Sequence, residues 1–223
     1  LSLSQLANSG QLAAGNDLTL NIAGNLTNTA TGLIYAGNDA ALFVGGVLAN
    51  DQGAIVAGRD LTIAGSASGA RNAATVNSSG LISSGRNISI LTATLRNEKS
   101  VAPTYTSQQI SNAHVSAYDT YYAHLCGDCS SSVSFADKQF VIGAPIRHVY
   151  RDVTEDRLTS AGSPAATIKA GNTLFVDTVD LTNAYSNIEA GSGMTLVGSG
   201  TLTNLGLQLQ RTTSVNCNQS SGC

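Results

Sequence analysis

The chain has 223 residues, of which only 11% are charged, and its formal net charge is −3. This balance, without a stripe of Lys or Arg, argues against a nucleic-acid partner. The apolar runs are also shorter than the roughly 20 residues of a membrane-spanning helix. We therefore expect no nucleic acid and no membrane insertion by this segment.

The first part of the chain is a repeat. Residues 10–28 read GQLAAGNDLTLNIAGNLTN and residues 32–50 read GLIYAGNDAALFVGGVLAN, with apolar and turn residues in matching places. Further copies begin at Gly53, Gly80, Ala166 and Ser186. Their anchoring glycines are Gly15, Gly37, Gly58, Gly85, Gly171 and Gly191. The period is about 21 residues, with a longer step from Gly58 to Gly85 and a much longer one from Gly85 to Gly171, which predicts a solenoid that carries two insertions.

Within each repeat the apolar residues alternate with polar ones, as in Leu18, Leu20 and Ile22. Alternation with a period of two predicts strands, and the Gly, Asn and Asp clusters between them predict turns. One such coil buries too little apolar surface to fold alone, so coils stack and pair as parallel strands. The sequence therefore predicts an all-β fold, a parallel β-helix of about six coils.

Equivalent positions in successive coils form columns of similar side chains. One column reads Leu12, Ile34, Ile55, Ile82, Ile168, Ile188, and a second reads Leu20, Leu42, Ile63, Ile90, Val176, Leu196. A third reads Asn28, Asn50, Asn97, Asn183, Asn204. Because a buried amide needs hydrogen-bond partners, the third column predicts a ladder in which each Asn bonds its neighbour in the next coil.

In chain order, the pattern predicts coils over 1–97, with a polar loop at 66–79, and coils again over 165–211. Leu1 to Asn8 resembles the end of a preceding coil, which indicates an excised fragment. Leu205, Leu207 and Leu209 are expected to begin one more strand. Residues 212–223 form a polar tail that contains two cysteines.

The segment 98–164 interrupts the repeat and holds five of the seven tyrosines and all three histidines. We expect a partly β insertion, with strands at 133–142 and 146–153, an edge strand or short helix at 113–125, and a charged loop at 151–157. Tyr-rich loops on a rigid scaffold favour binding. The candidate binding residues are Tyr105, Tyr118, Tyr121, Tyr122, His124 and Tyr150. The alternative is a flap whose tyrosines only cover the coil beneath.

The four cysteines form two close pairs, Cys126 with Cys129 and Cys217 with Cys223. Two local disulfides in an exported protein are the preferred interpretation. Zinc held by the CGDC segment with His124 is an alternative, but a second CxxC or His pair is missing. A redox CxxC would need a thioredoxin-like context, which is also missing. We therefore predict no metal and no cofactor.

Three aspartates, Asp17, Asp39 and Asp60, recur in the same turn and are the candidates for a carbohydrate-active or calcium site. The next three coils replace them with Asn87, Thr173 and Gly193, and no Lys joins the column. We favour a structural role in which each Asp caps its own turn, and we expect the chain not to be an enzyme.

The repeats AGNDLTLNIAGNLTN, AGNDAALFVGGVLAN, AGRDLTIAG and SGRNISILTATLRN closely resemble the haemagglutinin repeats of the filamentous haemagglutinin family. That family includes the contact-dependent growth-inhibition effectors of the CdiA type. The resemblance covers about 1–97 and 165–209. It implies a right-handed β-helical filament in a large secreted exoprotein of the bacterial surface, exported through a cognate outer-membrane transporter of a two-partner system.

The resemblance further implies adhesion, or display of a receptor-binding region together with delivery of a C-terminal toxin. We therefore expect a β-helical stalk whose insertion meets a target-cell or host-surface receptor. The alternatives are a passive spacer of the filament and a polysaccharide-binding or polysaccharide-degrading β-helix protein.

Overall fold

The computed structural model describes residues 2–117 and 147–218, with side chains placed at 2–113 and 151–215. Within these ranges every regular element is a strand. The chain divides into two compact units. The first consists of Leu1–Thr104 with Ser160–Gln208, and the second of Tyr105–Thr159 with Leu209–Cys223.

The first unit is built from short strands joined by tight turns. Up to the insertion they are β1 (Ser2–Leu3), β2 (Leu6–Asn8), β3 (Gln11–Ala14), β4 (Leu18–Ile22), β5 (Leu26–Asn28), β6 (Leu33–Ala36), β7 (Ala40–Val44), β8 (Val47–Asp51), β9 (Ala54–Ala57), β10 (Leu61–Ala64), β11 (Ala74–Ser78), β12 (Leu81–Ser84) and β13 (Ile88–Glu98). Two long strands follow, β14 (Thr104–Ala117) and β15 (Arg147–Ser160). The remaining strands are β16 (Thr167–Ala170), β17 (Thr173–Ala184), β18 (Asn187–Ala190), β19 (Gly193–Gly198), β20 (Leu202–Leu205) and β21 (Arg211–Asn218).

These short strands pair in parallel with their equivalents in neighbouring coils, as the repeat predicts. One sheet has the order β18-β16-β12-β9-β6-β3, and a 12-stranded sheet forms the other two sides of the coil. Ile55 pairs with Ile34 on one side and with Ile82 on the other. Leu42 likewise pairs with Leu20 and Ile63. The parallel β-helix and both apolar columns are therefore confirmed, whereas the right-handed sense stays a prediction from the resemblance.

The core is the inside of the coil, where the two apolar columns are buried. Ile34, Leu42 and Ile55 are at most 1% exposed. In the last coil the equivalent Leu196 is 39% exposed, and Leu202, which pairs with the buried Leu181, is 60% exposed. This contrast shows that the burial of a column residue depends on a neighbouring coil on each side.

The register continues across the insertion. Strand β13 pairs in parallel with β17, although most of the insertion separates them in sequence. Within this pair Ile90 lies beside Val176, and Leu95 lies beside Leu181. The coil before the insertion and the coil after it therefore stack directly, as two consecutive repeats do elsewhere.

The enlarged third coil is less simple than the polar loop that we expected at 66–79. Val76 does return to register, opposite Ala49 and Arg96. However, Asn72 is only 1% exposed, and its Nδ2 donates to Thr75 Oγ1 at 3.1 Å. The loop therefore delivers a buried polar pair to the core, because Thr75 occupies a position that holds Leu48 in the preceding coil.

Asparagine side chains form a continuous hydrogen-bonded chain through the stack. Asn28 Nδ2 donates to Asn50 Oδ1 at 2.8 Å, and Asn97 Nδ2 donates to Asn183 Oδ1 at the same distance. The five expected residues are joined by Asn8, which donates to Asn28, and by Asn77, which stands between Asn50 and Asn97. The expected direct step from Asn50 to Asn97 was therefore wrong. It skipped the asparagine of the enlarged third coil.

The anchoring glycines are required by the close approach of successive turns. A Cβ atom on Gly58 would lie 2.0 Å from the Gly37 carbonyl oxygen, and one on Gly85 would lie 2.2 Å from the Gly58 carbonyl oxygen. Gly15 has the same place in the first described coil, and a Cβ there would meet nothing within 4 Å. The glycine in each inner repeat thus makes room for the backbone of the coil before it.

The second unit contains a three-stranded sheet with the order β14-β15-β21. Strand β21 pairs antiparallel with β15, so that Val153 lies opposite Thr213. Strand β14 covers the part of the ambiguous 113–125 segment that is described, and the rest of that segment lies outside the described residues. The segment 151–157, expected to be a charged loop, is part of β15. We expected Leu205, Leu207 and Leu209 to begin one more strand, but Leu205 is the last residue of β20 and residues 206–210 belong to no strand.

Candidate binding surface on the insertion

The three-stranded sheet carries the part of the insertion whose side chains are described. Its strand β14 is exposed along almost all of its described length, as Tyr105, which is 50% exposed, illustrates. Strand β21 is exposed at residues 211–215. Most of the described side chains of these two strands are therefore in contact with water.

Polar side chains on β14 and β15 are tied together. Ser107 Oγ donates to Asp156 Oδ1. The other carboxylate oxygen, Asp156 Oδ2, accepts from the Gln210 backbone N–H at 3.1 Å. Gln109 Nε2 donates to Asp152 Oδ1 at 3.0 Å. These bonds hold two carboxylates in fixed positions on the strand surface, each with further acceptor capacity.

Residues alternate along β15, so its arginines at 151 and 157 point away from the side that carries these two aspartates. Arg157 Nη2 lies 3.9 Å from Glu155 Oε2, and both side chains are well exposed. Strand β21 places Arg211 opposite Glu155. Exposed pairs of this kind contribute only about 0–1 kcal/mol to stability.

Apolar side chains are also exposed on this sheet. Leu158 is 45% exposed, Val215 is 56% exposed and Ile110 is 37% exposed, whereas Val153 is buried. By strand alternation, Leu158 lies on the face that carries Asp152 and Asp156, whereas Val215, opposite Arg151, lies on the other face. Each polar face of the sheet therefore has some apolar area, which is the mixture found at protein recognition sites.

Only part of the candidate binding set is described. Tyr105 is on β14 and exposed, and Tyr150 is on β15. Tyr118, Tyr121, Tyr122 and His124 lie outside the described residues. So do three of the cysteines, Cys126, Cys129 and Cys223, while Cys217 is on β21 opposite Val149. The two disulfides stay predictions.

The aspartate column serves the stack, in a different way from the one we expected. Asp17 Oδ1 accepts from the backbone N–H of Asp39 at 3.1 Å, and Asp39 Oδ1 accepts from that of Asp60 at 3.1 Å. Each carboxylate therefore caps the next coil and not its own turn. Arg59 and Arg86 lie 3.5 and 3.7 Å from Asp39 and Asp60, which offsets the repulsion between stacked carboxylates.

A further aspartate, outside this column, caps a turn near the last coil. Asp180 Oδ1 accepts from the Thr201 backbone N–H and from its hydroxyl, both at 2.8 Å. The hydrogen bond from the Thr201 backbone N–H, and to a smaller extent the one from its hydroxyl, lowers the pKa of Asp180 below its ordinary value of 3.8, because both bonds favour the charged carboxylate.

Among the residues that the structure describes, no group of three or more His, Cys, Asp or Glu side chains is placed to hold a metal ion. In the same part of the chain, no helix has the length and apolar character needed to cross a membrane.

The chain is similar to the protein named Toxin CdiA of Escherichia coli. The two are 34% identical over 216 residues, which covers 93% of this chain and 7% of that protein. No family model matches the chain, and no solved structure matches it. The similarity spans both the β-helix and most of the insertion. It covers only a short segment of Toxin CdiA, because that protein is much longer than this chain.

Proposed function

We propose that this chain is a β-helical stalk segment of a large secreted exoprotein of the bacterial surface, and that its insertion contacts a receptor on a target cell or host. The similarity to Toxin CdiA supports an exoprotein of the adhesin or growth-inhibition type. Export through a cognate outer-membrane transporter is part of this proposal, and the resemblance of the repeats to haemagglutinin repeats supports it.

The stalk role is supported by the way the β-helix treats the insertion. Strand β13 stacks on β17 in unbroken register, and Asn97 bonds Asn183 across the interruption. The rod thus continues as if the insertion were absent, and the insertion is an addition that the fold does not need.

The binding role is supported chiefly by one observation. The charged, aromatic and aliphatic side chains of the three-stranded sheet are exposed, with Tyr105 at 50% and Leu158 at 45%. The inner coils also expose large apolar side chains, Tyr35, Leu81 and Phe175, but each of these is only 37–39% exposed. Receptor recognition is therefore better served by the insertion than by the coils.

The test removes the second unit as a whole. Because β21 pairs with β15, residues 105–159 and 209–223 are deleted together, and Thr104 is joined to Ser160 by a short Gly-Ser linker. We expect the variant to keep a strand-rich circular dichroism spectrum and to lose the ability to compete with its parent exoprotein for target cells. Undiminished competition would contradict the binding role.

A point variant refines this test. Tyr105→Ala should weaken competition at least several-fold, because the ring is exposed on the sheet. Tyr35→Ala is the matched control, since Tyr35 is 37% exposed on the β-helix. An equal effect of both variants would argue against a binding surface on the insertion.

A passive spacer is the second candidate, and the unbroken asparagine ladder favours it. In that case the purified chain would fail to compete with the parent for cells, with or without the second unit. A gene for an outer-membrane transporter upstream and a gene for a small immunity protein downstream would identify the parent as a growth-inhibition effector and not an adhesin.

A further inference from the structure

Strand β14 is the long outer strand of the three-stranded sheet in the insertion. It has 14 residues and stands at the end of the order β14-β15-β21, so one of its edges has no strand beside it among the described residues. The described side chains of residues 104–112 are all exposed. A long, exposed strand edge carries unpaired N–H and C=O groups, and it is therefore a template for pairing with another strand.

The edge of β14 lacks the residues that usually prevent such pairing. Proteins protect their edge strands with charged side chains or with proline. The sequence of β14, TYTSQQISNAHVSA, contains no Asp, Glu, Lys, Arg or Pro. The opposite edge of the sheet, β21, begins with Arg211, and the central strand β15 carries arginines and carboxylates along its length. The charges of this sheet are thus placed away from the β14 edge.

The hydrogen bonds of β15 indicate which backbone groups of β14 point to the free edge. The Asp156 N–H donates to Gln210 O at 2.8 Å, so the backbone groups of Asp156 face the β21 side of β15. Backbone groups alternate between the two edges along a strand. Those of Asp152, four residues earlier, therefore also face β21, and the odd-numbered residues of β15, such as Val153, face β14.

Ser107 and Gln109 lie on the same face of the sheet as these two aspartates, because Ser107 Oγ bonds Asp156 and Gln109 Nε2 bonds Asp152. The two bonds rise in number along β14 and fall along β15, so the strands are antiparallel. In an antiparallel pair, opposite residues either both bond across the pair or both point away from it. The N–H and C=O groups of Ser107 and Gln109 therefore point away from β15, to the free edge, as do those of Tyr105.

We infer that β14 pairs antiparallel with β14 of a second copy of this chain, which joins the two sheets into one. Two identical antiparallel strands are related by a two-fold axis, so a single edge supplies both halves of the interface. With the axis at Ser107, this residue meets its own copy, and Tyr105 stands opposite Gln109 of the partner subunit. The backbone groups of all three residues then have partners.

The side chains of β14 suit a copy of themselves. Near a two-fold axis a charged residue meets the same charge, which is destabilising, so self-pairing requires a strand without charge. The polar residues of 104–112 are Tyr, Ser, Thr, Gln and Asn, and each of these side chains can both donate and accept hydrogen bonds. Like side chains that stand opposite each other can therefore bond. A strand that selects a different partner by complementary charge would carry charges of its own, and β14 carries none.

The experiment is sedimentation equilibrium of the full chain over the micromolar to submillimolar range, where we expect a reversible monomer–dimer equilibrium. Ser107→Pro removes the outward N–H from both copies at once, and an edge strand tolerates proline where the N–H faces solvent. It should weaken dimerisation at least about tenfold, because two hydrogen bonds are lost at the axis. Ser107→Ala is the matched control. It also loses the bond to Asp156 but keeps the N–H, so it should dimerise nearly as well as the parent.

Hydrogen exchange on the unsubstituted chain gives a second measurement, which holds even if Ser107→Pro disturbs the sheet. The amides of Tyr105, Ser107 and Gln109 should exchange more slowly as the protein concentration rises. The amide of Gln108 faces β15 already and should not change.

The inference is overturned if the chain stays monomeric throughout this range, or if these three amides exchange equally fast at every concentration. It is also overturned if Ser107→Pro dimerises as tightly as Ser107→Ala, which would assign the dimer to stacked β-helix ends or to an intermolecular disulfide. The pairing uses the edge of the sheet, whereas the proposed receptor contact uses its exposed side chains. The inference therefore does not rest on the proposed function, and loss of dimerisation leaves the cell-competition test unchanged.

Discussion

Replacing Asn50 with Ala tests the ladder at its centre. Asn50 is fully buried, and its Nδ2 donates to Gly53 O at 3.0 Å, to Asn77 Oδ1 at 2.8 Å and to Leu81 O at 3.2 Å. Its Oδ1 accepts from Asn28 Nδ2 at 2.8 Å. The substitution removes all four bonds and leaves a small void. Each buried polar group left without a partner costs about 1–3 kcal/mol.

Not all four partners are orphaned. Asn28 Nδ2 keeps Gly32 O and Ala54 O as acceptors. The largest cost comes from Asn77 Oδ1, which loses its Asn50 donor, and the other lost hydrogen bonds cost less. Together they predict a destabilisation of about 3 kcal/mol. Asn50→Asp, which keeps the shape and removes the donor, should cost more than Asn50→Ala, because a buried carboxylate then faces three acceptor oxygens without a counter-charge.

The assay is urea unfolding followed by circular dichroism, with the slope compared between variants to check that both unfold to the same extent. Asn16→Ala is the matched control, because Asn16 is exposed and its oxygen lies 3.5 Å from its nearest donor, Asn38 Nδ2. It should change the free energy of unfolding by less than about 0.5 kcal/mol. If Asn50→Ala costs no more than this control, the ladder does not stabilise the stack.

Three further substitutions test other contacts between coils. Gly58→Ala should destabilise the fold by about 1–3 kcal/mol, because its Cβ would lie 2.0 Å from Gly37 O. Gly15→Ala is the control and should be nearly neutral, because a Cβ there meets nothing within 4 Å. Equal urea midpoints for the two variants would contradict the close approach of successive turns. Ser84→Ala should raise the free energy of unfolding by about 1 kcal/mol, since this buried hydroxyl has no hydrogen-bond partner among the described residues. A lower urea midpoint for the variant would contradict this and show that the hydroxyl does have a partner. Asp180 has a lowered pKa, so it stabilises the fold above its ordinary value of 3.8, and this contribution is lost as the pH falls through the folded-state pKa. Asp180→Asn should flatten the stability profile in that acid range, and an unchanged profile would refute the capping role.

The regular coils could be predicted from the sequence because each column repeats one residue type once in every coil. Ile34, Ile55 and Ile82 hold the same place in three successive repeats, and strand alternation fixes which face they occupy. The asparagine of the third coil could not be predicted in the same way. This coil contains an additional loop, so Asn77 falls outside the alignment that the shorter coils suggest.

The direction of a side-chain hydrogen bond could not be predicted. An aspartate that caps its own turn and one that caps the next coil have the same place in the repeat, so Asp17 and Asp39 look alike in either case. Only the stacked coordinates show that the acceptor oxygen meets the N–H of the following coil.

Strand β21 was also missed. Its residues Arg211 to Asn218 are mostly polar, and the last coils of the β-helix separate it in sequence from its partner β15. A sheet with little buried surface leaves no apolar alternation for the sequence to reveal.

Methyl NMR on selectively labelled isoleucine tests the stack most directly. In-register coils about 4.8 Å apart place the methyl groups of Ile55 against those of both Ile34 and Ile82. We predict strong cross-relaxation from Ile55 to both neighbours, and none between Ile34 and Ile82 directly. A spectrum in which Ile55 contacts neither of them would contradict the parallel β-helix itself.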